Sequence, residues 1–187
     1  MAQTSMSINR TDEDDGDLIQ AAKQNPEAFG EIYHRYVHSV YKYFYNRTWN
    51  QNEAEDLTAQ TFLAVLEGLQ KYRDNGYFSA WLFSIARRKA ADHFRIKTKQ
   101  PLVDFNDEIP ADSDFLNDII QSEKLIRIAR LFNDLPEKDK EIIRLRFVAD
   151  LSFAEIGHIL HRNEGTTKKT LYRIVNRMKS KLEEENE

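Results

Sequence analysis

Residues 52–97 read NEAEDLTAQTFLAVLEGLQKY, then RDNGY, then FSAWLFSIARRKAADHFRIK, and their periodicity decides the fold. Apolar residues recurring near 3.6 positions predict a helix in each long piece. In the first, Leu57, Thr61, Phe62, Val65, Leu69 and Tyr72 share the arc that a core would cover. Asp56, Gln60, Leu63 and Glu67 recur at i, i+4, i+7 and i+11 on the other side. Single exposed leucines are common, but an acidic stripe with a leucine at its centre suits a protein partner better than water. In the second piece Phe78, Trp81, Leu82 and Ile85 make the buried side, and Arg87, Arg88 and Arg95 project opposite.

Working outward, Asn25-Pro26-Glu27 reads as a helix start: asparagine caps, proline fits the first turn, and the acid complements the helix dipole. Phe29, Ile32, Tyr33, Tyr36, Val37, Val40 and Phe44 then form one stripe. Asn52 with Glu55 resembles a capping box opening the next helix, and Asn75-Gly76 breaks the chain before the basic helix. The expectation is an all-α protein of two small helical domains. Residues 1–16 read as a disordered tail, 17–97 as the first domain, 98–118 as an acidic flexible linker and 119–187 as the second domain.

In that second domain Pro136 starts a helix with Ile142, Ile143, Leu145 and Phe147 as core candidates. Ser152 and Glu155 form a capping box for a short helix that buries Phe153, Ile156 and Leu160. A polar turn, HRNEG, leads into TTKKTLYRIVNRMKSKL. There Leu171, Ile174, Val175, Met178 and Leu182 lie on one arc, with Thr166, Lys169, Thr170, Arg173, Asn176 and Arg177 opposite. Short helix, tight turn and longer helix with a polar-basic face describe a helix-turn-helix. Such a helix fits the major groove, its outer side chains meeting base edges while flanking cations take phosphates.

The net charge is −4, yet its distribution favours nucleic acid. Arg87 to Lys99 carries six Lys/Arg against Asp92 alone, and Arg162 to Lys181 carries seven against Glu164 alone. Between them PLVDFNDEIPADSDFLND holds six acids and no base. Local patches, not the total, set attraction to phosphate. With no cysteine, disulfides, thiolate metal sites and cysteine nucleophiles are excluded. No apolar run is long enough to span a bilayer, and MAQTSMSINRTDEDDGD does not read as a signal peptide, so the expected address is the cytoplasm.

AEDLTAQTF followed by FSAWLFSIARRKAADHFR resembles region 2 of the extracytoplasmic-function (ECF) sigma factors of bacterial RNA polymerase. LPEKDKEIIRLRFVADLSFAEIGHIL followed by EGTTKKTLYRIVNRMKSKL is similar to their region 4. The chain differs from the family's frequent residues at Ala59-Gln60, at His161, where a turn glycine is common, and at Thr167. The resemblance implies a partner, bacterial core RNA polymerase, that docks on Asp56, Gln60, Leu63 and Glu67. It implies recognition and melting of the promoter −10 element through Asp74, Asn75, Tyr77 and Phe78, with Arg87, Arg88 and Arg95 on the backbone. Phe78 and Trp81 also read as core residues, and for Trp81 the core reading is preferred. Thr166, Lys168, Lys169, Thr170, Arg173 and Arg177 would meet the −35 element. The resemblance also allows an anti-sigma partner and an acidic linker that enters the polymerase channel. It implies no cofactor, no metal, no small-molecule substrate, no membrane insertion and no catalysis by the chain itself.

Two rivals come from the residues. Glu31/His34 and Glu155/His158 have the Glu-x-x-His spacing of di-iron bundles, but on helical wheels both pairs, with His38, oppose the apolar stripes. No Gly-rich phosphate loop or nucleophile elbow accompanies them. The stronger rival is a helix-turn-helix regulator that works without polymerase.

Overall fold

In the computed structural model, residues 13–97 and 123–184 are described. The expected tail at 1–12 and the acidic connector at 98–118 lie outside the described residues. Helix α1, Glu13–Gln24, already overturns part of the tail: Asp15 is buried, bonded to the Tyr36 hydroxyl, and paired with Arg35 at 2.5 Å. The acidic run is the first turn of a helix, where negative charge complements the dipole. Asn25 then caps as expected, its side chain accepting the Glu27 N–H at 2.9 Å. A 3-10 turn, Pro26–Ala28, leads into α2, Phe29–Thr48.

Helix α3 spans Gln51–Leu69, and its cap is Asn50 rather than Asn52. Trp49 turns left-handed (φ 50°), and the Thr48 hydroxyl bonds the Asn50 backbone. Asn50 is thereby held extended at the helix mouth, where its side chain accepts the Glu53 N–H at 3.0 Å. The Glu53 carboxylate instead reaches α4, Phe78–Lys97, accepting from Lys97 at 3.0 Å and meeting His93 at 2.9 Å. Leu57, Thr61, Phe62, Val65, Leu69 and Tyr72 are all buried, as the periodicity predicts. Tyr36, Tyr43, Phe44, Phe78, Leu82 and Phe83 are fully enclosed with them. Each such side chain contributes about 1.5–3 kcal/mol of burial.

The second unit comprises α5 (Glu123–Asn133), α6 (Glu137–Ile143), α7 (Phe153–Leu160) and α8 (Glu164–Glu184). Leu135, Ile142, Leu171 and Ile174 form its small core, with Phe132 and Met178 against it. After α6 the chain makes a π turn, Arg144–Val148, closed by the Ala149 N–H on the Arg144 carbonyl at 2.9 Å. Ile142 and Leu145 are buried, but Phe147 is 63% exposed and is not a core residue. Two residues past Leu145, it falls on the side of the helix opposite the face that Ile142 and Leu145 define.

The two units share one core. Leu145, Ala149, Leu151, Ile156 and Ile159 belong to the same apolar cluster as Ile19, Phe78 and Ala90. α7 packs on α4, and the π turn packs on α2. No strand occurs among the described residues.

Candidate functional site

Four surfaces carry the residues singled out by the sequence. On α3, Asp56, Gln60, Leu63 and Glu67 are all exposed, and the Gln60 amide donates to Asp56 at 2.6 Å. Leu63 is 58% exposed, and the stripe is more apolar than expected because Leu66 and the α2 residue Tyr33 are also open. Tyr33 meets Phe62 edge-on at 4.8 Å, which ties α2 to this face.

The loop between α3 and α4 is shaped by one carboxylate. Asp74 Oδ1 accepts the Gly76 N–H at 3.0 Å and the Tyr72 hydroxyl at 3.4 Å. Gly76 sits at φ 77°, a conformation that L side chains rarely adopt. Burial, aided by Asp74, pushes the Tyr72 phenol well above the ordinary tyrosine range. Asp74 and Asn75 are exposed, and Tyr77 is half-buried. Phe78 departs from its expected role: at 1% exposure its ring lies among Tyr36, Tyr72 and Trp81, 5.4–5.7 Å away. It cannot meet a base without opening the core. Trp81 lies against Tyr72 at 4.6 Å on the wall of a cleft of about 360 Å³. Lys71, Arg73, Asn75, Tyr77 and His158 are among the residues that line it.

On α4, Arg87, Arg88 and Arg95 are exposed as predicted. Arg95 bonds Asp92 at 3.0 Å, and Arg87 lies 3.6 Å from Glu141 in the second unit.

The helix-turn-helix is built by local rules. The Glu155 N–H donates to Ser152 Oγ at 3.2 Å, and the Ser152 N–H donates to the Glu155 carboxylate, completing the predicted capping box. His161 takes the left-handed turn position at φ 53°. A Cβ on Gly157 would stand 2.6 Å from the Arg162 carbonyl, so the turn closes only over glycine. α8 starts at Glu164, inside the stretch read as turn, because Asn163 accepts the Thr166 N–H at 2.7 Å. Thr166, Lys168, Lys169 and Arg173 are exposed and Thr170 is half-buried. Arg177 is engaged with buried Asp139 at 3.0 Å, so phosphate would have to compete with that pair.

Sequence reasoning missed a polar network between the units. Glu141, buried, accepts from the Tyr43 hydroxyl at 2.8 Å and from Arg47 at 2.8 Å. Arg144 pairs with Glu137 at 2.5 Å and donates to Asn46 at 3.0 Å. Burial first, then the Glu141 carboxylate, drives the Tyr43 phenol far upward. Burial works against the Arg47 charge, but Tyr43 and Glu141 outweigh it and raise the guanidinium. The Glu-x-x-His reading meets a correction as well. Glu31, His34 and His38 are exposed, but Glu155 is buried and accepts the Ser79 hydroxyl across the junction. Among the described residues no group of three or more His, Asp or Glu is placed to hold a metal. No helix among them is long and apolar enough to cross a membrane.

Comparison with known proteins places both units. Residues 32–100 match the family model Sigma-70 region 2, and residues 125–178 match Sigma-70, region 4. The chain is 33% identical over 167 residues to the ECF RNA polymerase sigma factor BldN of Streptomyces coelicolor, covering 85% of this chain and 62% of that one. It is 29% identical over 167 residues to the ECF RNA polymerase sigma factor SigW of Bacillus subtilis, covering 83% and 89%. Among solved structures, CnrH in complex with the cytosolic domain of CnrY aligns with TM-score 0.62 at 19% identity, covering 89% of this chain and 95% of that one. That last likeness is one of fold.

Proposed function

Because the chain belongs to the ECF group of sigma factors, we propose that it binds bacterial core RNA polymerase in the cytoplasm and directs it to promoters. The observation that carries this reading is the presence of both matched regions in one chain, with the acidic, partly apolar stripe of α3 left exposed. A regulator working without polymerase has no use for that stripe beside a second basic helix. In the complex the stripe docks on the enzyme: Asp56 and Glu67 steer and register, while Leu63 supplies apolar area.

Promoter opening falls to the loop before α4. Asp74 and Asn75 offer carboxylate and amide groups to an exposed base edge, and Tyr77 offers a ring for stacking at about 1–3 kcal/mol. Arg87, Arg88 and Arg95 take backbone phosphates near the fork. On α8, Thr166, Lys169, Thr170 and Arg173 read the −35 element, with Lys168 and Arg177 on phosphates. All of this is binding energy directed at DNA; nucleotidyl transfer stays with the polymerase. The test is co-elution with sigma-free core enzyme in size-exclusion chromatography, followed by transcription from a promoter of the producing organism. A chain that neither co-elutes nor supports initiation would sink the proposal.

A further inference from the structure

The loop between α3 and α4 is held by α1 at two points, its start and its turn. Lys23, half-buried in the last turn of α1, donates from Nζ to the Tyr72 carbonyl at 2.8 Å, and its ammonium lies 6.0 Å from the centre of the Tyr72 ring. The Gln70 amide returns a bond to the Lys23 carbonyl at 2.7 Å. The other end of α1 meets the turn. Asp15, buried and bonded to Tyr36 and Arg35, fixes that end on α2. Gly16 then comes so near the loop that a Cβ on it would stand 3.1 Å from Asp74 Oδ2, closer than ordinary van der Waals contact. The other oxygen of that carboxylate receives the Gly76 N–H. Ile19 and Ala22, both buried, seat the helix between these contacts.

We propose that α1 is a positioning element for promoter opening, with Lys23 and Gly16 as its positioning residues. Lys23 holds the carbonyl from which the loop departs, and Gly16 leaves Asp74 the room to hold the Gly76 turn. This rests on the loop at 74–77 being the part that opens promoters. Asp74, Asn75 and Tyr77 follow Tyr72 within five residues, so a shift at its carbonyl is carried directly to them. The α3 stripe and α8 lie outside these contacts, so core binding and −35 reading should not depend on them. A lysine that only capped the end of α3 would lower stability and every activity together.

Lys23→Met keeps the apolar stem and removes the donor. In the free chain the Tyr72 and Gly76 amides, bonded to Gly68 and Asp74, should exchange with solvent about tenfold faster by NMR, the size of one lost charged hydrogen bond. With core polymerase, permanganate-reactive open complex on a duplex promoter should fall by about the same factor. Co-elution with core and transcription from a pre-melted template should stay at the parent level. Lys23→Arg, which still donates, should restore both readouts. Gly16→Ala separates fold from function by sign: alanine is the better helix former, so melting temperature should hold or rise while opening falls. It also decides the matter if Lys23→Met does not fold. In folded Lys23→Met, either readout at the parent level overturns the positioning role. So does a defect that the pre-melted template shares, or a Gly16→Ala variant that opens the promoter as the parent does. A parent chain that neither binds core nor opens promoters sinks the sigma reading and this proposal with it; variants that match a working parent sink the proposal alone.

Discussion

The Tyr43 hydroxyl on α2 donates to Glu141 Oε1 on α6 at 2.8 Å, joining residues 98 positions apart in the chain. Glu141 is buried, and Arg47 bonds its other oxygen at 2.8 Å. The carboxylate therefore ties the region 2 unit to the region 4 unit at a point shielded from water, where a missing partner is felt strongly.

Replacing Glu141 with Gln should loosen the two units. It takes one of two shared carboxylates from the Arg47 and Arg144 guanidiniums, 12% and 8% exposed, and leaves them the more exposed Glu137, at 3.3 and 2.5 Å. Removing one partner of such a buried set is worth about 3–5 kcal/mol. Urea unfolding should show a loss of that order, and small-angle scattering should show a larger radius of gyration. An unchanged midpoint and unchanged scattering would contradict the role given to Glu141.

Alkaline pH should act at the same point. Tyr43 and Tyr72 both keep their protons above the ordinary tyrosine value of 10.0. The unfolded chain gives them up near 10.0, so the folded state binds more protons there and stability falls as pH rises. The contribution is complete below 10.0 and is lost on rising through the folded values. Melting temperature should be flat through neutrality and drop above pH 10.0, and Tyr43→Phe should shallow the drop. A Tyr43→Phe curve parallel to the parent's would remove this tyrosine from the explanation.

Gly157→Ala probes the helix-turn-helix. Its Cβ would meet the Arg162 backbone carbonyl at 2.6 Å, and backbone cannot step aside as a flexible side chain can. Overpacking of this kind costs about 1–3 kcal/mol. A variant that melts with the parent would show that the turn at His161 adapts more easily than its geometry implies.

Leu63→Arg separates docking from folding. The side chain is 58% exposed, so unfolding free energy should change by no more than about 0.5 kcal/mol. Affinity for core polymerase should nonetheless fall clearly, because a central apolar anchor becomes a like-placed cation. Full affinity with the parent's stability would move the docking surface away from α3.

The helices were legible because their apolar spacing is regular and their caps are local. Ser152 with Glu155, Asn25 with Pro26, and the buried arc of α3 all follow from residues within a few positions of one another. Asn50 was missed for Asn52 because the deciding contact, Thr48 on the Asn50 backbone, belongs to the end of the preceding helix. Phe147 reads as core only by residue type: two positions after Leu145, its place on the helix wheel already turns it from the Ile142–Leu145 face. The junction was invisible for a different reason. Glu141, Glu155 and His158 look like a polar surface in any single helix, and only tertiary packing brings them to Tyr43, Ser79 and Tyr77. The same packing withdrew Phe78 from the loop to which its sequence position had assigned it.

The most direct test of the central claim is promoter binding by the full chain with and without core polymerase, measured by electrophoretic mobility shift. The sigma reading predicts weak binding by the free chain and tight binding once core is added. It also predicts that mutating the −35 element, or Arg173→Ala, removes most of that gain, with loss of one base contact worth about 1–3 kcal/mol. Tight, sequence-specific binding by the isolated chain, unchanged by core polymerase, would contradict it and restore the polymerase-independent regulator.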